Sequence, residues 1–472
     1  MANINAINKT PERAFGLRDK IGYLFGDLGN DFTFILSSSF LLKFYTDVMG
    51  ISAGVVGVVM MISRFVDAFT DVAMGRICDR ARPTKNGKFK PWLRRMCAPV
   101  AISSFLIYQS SLSDMSMGFK VVWLAVTYIL WGSIFYTSIN IPYGSMASAI
   151  SHDPKDRQSL STWRSMGASL AGAVIGAGVP LVVYKKAERD GAVVSIMQGR
   201  AFTAVAGVLS LFAILAYLIC YYLTTERVIP EHTEKSERGG IGTLLKNAFK
   251  NRALISVIAA SITMLLAQLT LQGMANYLYP NYYNNPSAMS VSTVAMLVAM
   301  FIAAAVAKPL TTRLGKAEVS AFSNLLAASV CVFLFFIRPS NVWVYVAFSF
   351  AAWLGLGIFS MVSWALITDV IDDAEIKNGI REDGSIYALY SFARKLGQAA
   401  AAGLTGALLT FIGYSEEAAF DESVLNGIFN ISTLVPAIGF GLLGLILWFW
   451  YPLHKGRVDE NVLILKNKRE RS

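Results

Sequence analysis

The chain has 472 residues, 54% of them hydrophobic and 15% charged, with a mean hydropathy of +0.49. Soluble domains run nearer a quarter charged, and a globular domain of this size would be hard-pressed to bury so much apolar surface. Lipid can accept it, and at about 20 apolar residues per spanning helix the length fits roughly a dozen spans. The net charge of +11 lies in short stretches between apolar segments, which argues for membrane topology rather than nucleic-acid binding.

Residues 1–20 are polar and carry Lys9, Arg13, Arg18 and Lys20. They lack the apolar core and cleavage site of a secretory signal, so they read as a retained cytoplasmic tail. The first span, Ile21–Tyr45, contains Asp27 and Asp31 four residues apart, with Asn30 between them and Gly26 and Gly29 alongside. An ionisable residue at mid-bilayer costs on the order of 2.5–3.5 kcal/mol on insertion scales, which makes it a functional candidate. Asp31 and Asn30 are candidates to bind sugar hydroxyls, and Asp27 to pair or couple. The plainer alternative is a polar clamp between helices. The second span, Val55–Ile77, contains Arg64, Asp67, Thr70 and Asp71. Spacing of three and four puts Arg64, Asp67 and Asp71 on one helical face. Two carboxylates so close repel when both are ionised, and a bound cation or proton relieves this. Asp67, Asp71 and the hydroxyl of Thr70 offer the hard oxygens that sodium takes. Alternatively, Arg64 simply neutralises one aspartate.

The third span is Trp92–Ser111. The fourth, Val121–Ile150, holds Tyr136-Thr137-Ser138-Ile139-Asn140-Ile141-Pro142. The proline frees a carbonyl one turn earlier, so Tyr136 and Asn140 read as ligand-lining residues. An ordinary kink with hydroxyls bonded along the helix is the competing reading. The fifth span, Arg164–Val183, opens on Arg164. The sixth, Ala201–Thr224, completes an N-terminal half over 21–224, and a polar middle loop over 225–252 follows.

Six more spans make a C-terminal half over 253–451: Ala253–Tyr279, Val291–Leu310, Ala321–Ile337, Val342–Ile371, Ser385–Ile412 and Leu425–Trp450, before a cytoplasmic tail over 452–472. The eleventh carries Tyr390 and Ser391, candidate sugar contacts, then Arg394 and Lys395. Buried cations need partners. The N-terminal aspartates suit Lys395 and Arg164, as pairs that break and re-form when the halves rock; Arg394 is a coupling or ion-pair candidate. Lys and Arg concentrate in the tails and in alternate loops, which places both termini inside. The basic stretches Asp79–Pro91 and Lys308–Lys316 form a weak echo between the halves, as in transporters built from two repeats.

Several motifs carry a family resemblance: Tyr45-Thr46-Asp47, Arg64-Phe65-Val66-Asp67-Ala68-Phe69-Thr70-Asp71, Gly87-Lys88-Phe89-Lys90-Pro91, Asn140-Ile141-Pro142 and Arg394-Lys395-Leu396-Gly397-Gln398. Across nearly the whole chain the sequence resembles the glycoside–pentoside–hexuronide cation symporters, the family of the melibiose permease and the glucuronide and xyloside carriers. The resemblance implies a major-facilitator fold with alternating access. It implies a cation site of Asp67, Asp71 and Thr137, sugar contacts at Asp31 and Arg164, and Lys395 between the two. Two positions depart from the melibiose type. Asn140 stands at the fourth-span carboxylate, as in glucuronide-type carriers, and Thr70 replaces an asparagine that assists sodium.

The expectation is an all-α polytopic membrane protein, with twelve transmembrane helices in two six-helix halves. It would sit in a bacterial inner membrane and import a sugar or glycoside (oligosaccharide, xyloside or hexuronide class) with Na+ or H+. No other cofactor is expected, and a monomer suffices. The alternative is a major-facilitator transporter of a non-sugar solute, such as a drug exporter. An enzyme is disfavoured: His152, His232 and His454 lie in loops or the tail without a nucleophile or metal partner. No ATPase-type phosphate loop is present.

Overall fold

The computed structural model describes residues 13–189, 191–228, 251–378 and 383–471. Most of the middle loop therefore lies outside the described residues. Among the described residues, twelve long helices follow the apolar segments of the sequence. In the N-terminal half these are α1 (Leu17–Asp47), α2 (Ala53–Arg80), α3 (Lys90–Ile107), α4 (Met117–Ile150), α5 (Pro154–Val183) and α6 (Gly199–Leu223). In the C-terminal half they are α7 (Arg252–Tyr282), α8 (Pro286–Leu314), α9 (Lys316–Ile337), α10 (Val342–Asn378), α11 (Asp383–Phe411) and α12 (Glu422–Trp450). Nine of them are long and apolar enough to span lipid on composition alone. The three that fall short, α1, α3 and α11, carry charges within the helix, and in α1 and α11 those include the candidate site residues.

Four features differ from the sequence reading. First, α5 begins at Pro154 rather than Arg164. Asp153 caps it by accepting from the Lys155 N–H, and Pro154 takes the first helical position, where a missing N–H costs nothing. Arg164 thus lies ten residues in, about 15 Å along the axis. Second, the α5–α6 connection is a β-hairpin, β1 (Tyr184–Arg189) against β2 (Ala192–Met197). Third, the C-terminal tail forms a further helix, α13 (Lys455–Arg471). Asn461 of α13 donates to the buried carboxylate of Asp373 on α10. Fourth, the second basic stretch is not a loop. It is helical to Leu314 and turns through Gly315 alone.

The Gly87–Pro91 motif has a structural account. The Glu226 carboxylate, just past α6, accepts from the backbone N–H groups of Lys88, Phe89 and Lys90 at 2.7, 3.0 and 2.6 Å. Gly87 has φ of +108°, and a Cβ there would lie 2.6 Å from that carboxylate. Hydrogen bonds to a charged group are worth about 1.5–3 kcal/mol each at most. Glu226→Ala should therefore lower the unfolding midpoint of the solubilised protein while leaving substrate affinity unchanged. An unaltered midpoint would show that the clamp adds no stability.

The chain alternates direction, so both described termini lie at one end and the hairpin at the other. At the hairpin end the halves are sealed. The Lys43 ammonium of α1 is buried, paired with Asp47 at 2.6 Å, and donates to Asn281 and Tyr414 of the other half, both at 2.7 Å. Asn276 donates to the Ser39 carbonyl. Arg189 of the hairpin reaches the Glu416 carbonyl, and Ser195 reaches Asn284. Gly57 of α2 packs on Gly406 of α11 so tightly that a Cβ at Gly406 would sit 2.4 Å from the Ala53 carbonyl oxygen. Small residues at such positions let membrane helices approach closely.

Candidate substrate and cation sites

Below this seal the halves enclose a cavity of about 590 Å³, within the usual range for small-molecule sites. Its wall follows helical stripes. Phe34, Ile35 and Ser38 face it from α1, and Ser165, Ala168, Ser169, Gly172 and Gly176 from α5. Gln268 and Gln272 face it from α7, and Gln398, Ala401, Ala402 and Thr405 from α11. Met60, Met289, Met296, Met300 and Met361 supply apolar surface.

The charged layer lies where these stripes run on toward the termini. On α2, Asp67 and Asp71 face α4. Both helices run in the same direction, so residues at matching spacing meet: Ser133 donates to Asp67 Oδ1 at 2.5 Å and Thr137 to Asp71 Oδ1 at 2.9 Å. A π-helical stretch, Leu130–Tyr136, carries Ser133, and Gly132 lies against the Asp67 carboxylate, whose Oδ1 would be 3.4 Å from a Cβ there. Arg64 Nη1 is 3.4 Å from Asp67 Oδ2, with its guanidinium over the Phe34 ring and on the cavity wall. Lys395 of α11 forms an ion pair with Asp71, joining the two halves in this layer. Thr70 turns aside: its hydroxyl donates to the Val66 and Asp67 carbonyls along its own helix.

On α1, Asp27 accepts from Arg164 Nε at 2.9 Å, as the charges of the two spans suggest. Asp31 is half-buried, one turn from the cavity-lining Phe34 and Ile35, and near enough to Arg164 and Asp27 to feel their charges. Tyr136 stacks on Phe34 at 5.6 Å, and Asn140 follows it by one turn of α4.

Two proposed sugar contacts need correction. Asn30 is buried against α6 and accepts from the Tyr217 hydroxyl at 2.9 Å, so it does not face the cavity. Tyr390 is fully buried within the C-terminal half, where its hydroxyl pairs with Ser261 at 2.7 Å. Its neighbour Ser391 is half-buried, and Arg394 lies over the rings of Trp364 and Tyr390. The sequence reading missed Ser133, Gln268 and Gln272. Ser133 stands four residues before Thr137, the spacing of Asp67 and Asp71. The glutamines are two amides one turn apart on α7, a spacing that sets both on one face.

Twelve spans in two halves around a central cavity, with ionisable groups held at mid-depth, define a multi-pass transporter of the major-facilitator fold. The chain belongs to the MFS/sugar transport protein family, whose model matches residues 22–455. A glucuronide carrier protein homolog of Escherichia coli (strain K12) is 31% identical over 461 residues, covering 96% of each chain. An isoprimeverose transporter of Lactiplantibacillus pentosus is 31% identical over 435 residues, covering 92% of this chain and 88% of its own. Among solved structures, a D-xylose-proton symporter superposes with a TM-score of 0.64 at 12% identity, covering 93% of this chain and 98% of its own.

Proposed function

We propose that the protein is a symporter that imports a glycoside together with Na+ or H+. The observation that carries this is the Asp67–Asp71 pair: two carboxylates fed by Ser133 and Thr137 hydroxyls, tied to the other half through Lys395, and next to a cavity with polar side chains on several walls. Carboxylate and hydroxyl oxygens suit a hard cation. A cation taking Asp71 competes with the Lys395 ammonium, and so loosens the tie between halves only when it is loaded. Hydroxyl and amide groups of Ser38, Ser165, Gln268, Gln272 and Gln398 suit a polyhydroxylated solute, and the methionine-rich surface suits an apolar aglycone. With the basic loops and both termini on the cytoplasmic side, the sealed hairpin end faces outward. The state described is then closed to the outside, with the charged layer on the cytoplasmic side of the cavity. The names of the relatives, carriers of glucuronide and isoprimeverose, agree with a glycoside cargo.

The test is uptake by proteoliposomes of a panel of glycosides and hexuronides under imposed sodium and proton gradients. Uphill uptake of at least one sugar under one gradient is the expected result. Failure of the whole panel under both gradients would overturn the reading. In the same assay Asp31→Asn should weaken substrate binding. Losing a charge-assisted hydrogen bond of about 1.5–3 kcal/mol corresponds to a Kd roughly 10–100-fold higher. An unchanged Kd in the purified variant would remove Asp31 from the sugar site.

A further inference from the structure

The seam at the hairpin end is closed around a charge. The Lys43 side chain is 1% exposed, and its ammonium meets three oxygens: Asp47 Oδ2 at 2.6 Å on its own helix, and Asn281 Oδ1 and the Tyr414 hydroxyl at 2.7 Å each on the other half. That uses all three of its donors. The ammonium also lies 4.4 Å from the Tyr277 ring centroid and 5.2 Å from that of Tyr414, and these two rings pack edge-on to each other at 4.8 Å. The other oxygen of Asp47 accepts from the Tyr414 hydroxyl at 2.8 Å. Apolar side chains alone would seal such a seam. Taking an ion pair out of water costs about as much as its attraction returns, and well-packed apolar replacements are often the more stable. A dry lysine here calls for a reason.

The reason lies in which of these contacts break when the halves part. Asp47 is one turn from Lys43 on the same helix, so the pair travels intact with α1. Opening removes two bonds from the ammonium to neutral groups of the other half, and its place over their rings. In return the ammonium meets water, which it binds strongly. Loss and gain oppose each other, so the closed seam is tight without being deep. An apolar seam in the same place would gain stability from every patch of surface kept from water, and it would recover nothing on opening. A carrier passes through both states in each cycle and needs both populated. The Lys43–Asp47 pair meets that need at this seam.

We infer that Lys43 is a positioning residue of the transport cycle, whose ion pair with Asp47 keeps the outer seal reversible. The inference rests on the reading of the hairpin end as the outer end of an alternating-access carrier, and goes beyond it to the energetics of that gate. It sets two kinds of substitution against each other. Lys43→Met leaves the Asp47 carboxylate without its cation and the Asn281 amide oxygen without a donor. Both groups are dry only while the seam is closed, so the change favours opening. Replacing the whole polar set together, by Lys43→Met, Asp47→Leu, Asn281→Leu and Tyr414→Phe, leaves no charge to hydrate and so favours closure. A lysine that merely held the halves together would shift the gate in the same direction in both.

The experiment uses the full chain with Ala168→Cys as a reporter on the cavity wall of α5. Its reaction with a membrane-impermeant maleimide is measured from outside, in right-side-out membrane vesicles. Lys43→Met should raise that rate at least about tenfold, and the apolar set should lower it at least about threefold. The same variants without the reporter should not label, because only an unfolded chain would expose the four native cysteines, all of them buried. Asp47→Asn strips the other charge of the pair and stands in for Lys43→Met should that variant misfold. Lys43→Met with Asp47→Leu stands in for the apolar set, and should label at least about threefold more slowly than Lys43→Met alone. A rise in both kinds of variant, a fall in both, or an unchanged rate with Lys43→Met overturns the inference. Fast labelling of the reporter alone overturns it too, since the hairpin end would then not be the sealed outer end. Labelling needs no sugar, so failure of every glycoside in the uptake panel would sink the symport reading and leave this result standing.

Discussion

Asp67→Asn and Asp71→Asn should each abolish cation-driven accumulation while leaving downhill exchange of substrate across the same membrane. Asp71 shares its two carboxylate oxygens between Thr137 of its own half and Lys395 of the other. An asparagine keeps an oxygen for the threonine but removes the charge that attracts a cation and holds the lysine. Asp67 lies one turn away, bonded by Ser133 and Arg64, and its loss halves the charge offered to an ion. Neither residue is needed to form the cavity, so substrate can still be bound and exchanged. The size of the effect follows from the driving force. A tenfold gradient of the coupled cation is worth about 1.4 kcal/mol, which allows roughly tenfold accumulation at one cation per substrate. In the variants that ratio should fall to one, with counterflow reduced by less than about tenfold. Ser133→Ala and Thr137→Ala, which remove one donor each, should show intermediate ratios. Accumulation at the wild-type level by both aspartate variants would remove the pair from the cation path.

The architecture was legible because each span is a long, mostly apolar run, and lipid leaves a helix few alternatives. The boundaries were less so, because helices outlast their apolar cores. The Asp153-Pro154 start of α5 is a strong capping signal, and it was passed over in favour of hydropathy. The hairpin too had a sequence cue, Asp190-Gly191 between alternating residues, with Gly191 at φ of +78°. In the site, the Asp67–Asp71 spacing and the need of Lys395 for an acid could be read directly. Asn30 is settled only by its neighbour. Neighbouring residues in an α-helix point about 100° apart at 3.6 per turn, and it is Tyr217 of α6, meeting Asn30 at 2.9 Å, that shows which way Asn30 turns. The same holds for Tyr390. Nothing in its sequence says that Ser261, far away along the chain, meets its hydroxyl. The rotation of a helix is set by its neighbours, and a single sequence does not list them.

A disulfide across the hairpin end should stop transport outright. Gly54 at the start of α2 faces Thr410 at the end of α11, and a Cβ built on Gly54 would lie 3.7 Å from that of Thr410. Disulfides span Cβ separations of about 3.5–4.5 Å, so Gly54→Cys with Thr410→Cys can bond without moving either helix. The four native cysteines, Cys78, Cys97, Cys220 and Cys331, are all buried and should leave the introduced pair to itself. Alternating access requires α2 and α11 to part here, along with the Lys43–Asn281–Tyr414 contacts and the hairpin clasp. Shifting such an equilibrium from mostly open to mostly closed takes about 5.5 kcal/mol, and a covalent bond exceeds that. Oxidation should cut uptake at least about tenfold, to the level set by uncross-linked protein. Reductant should restore it, and neither single variant should respond to the oxidant. Substrate should still bind to the oxidised protein in detergent, because the bond closes only the end that is already sealed. Thiol labelling reports how completely the pair has reacted. Unimpaired uptake by fully cross-linked protein would mean that the halves do not separate at this seam.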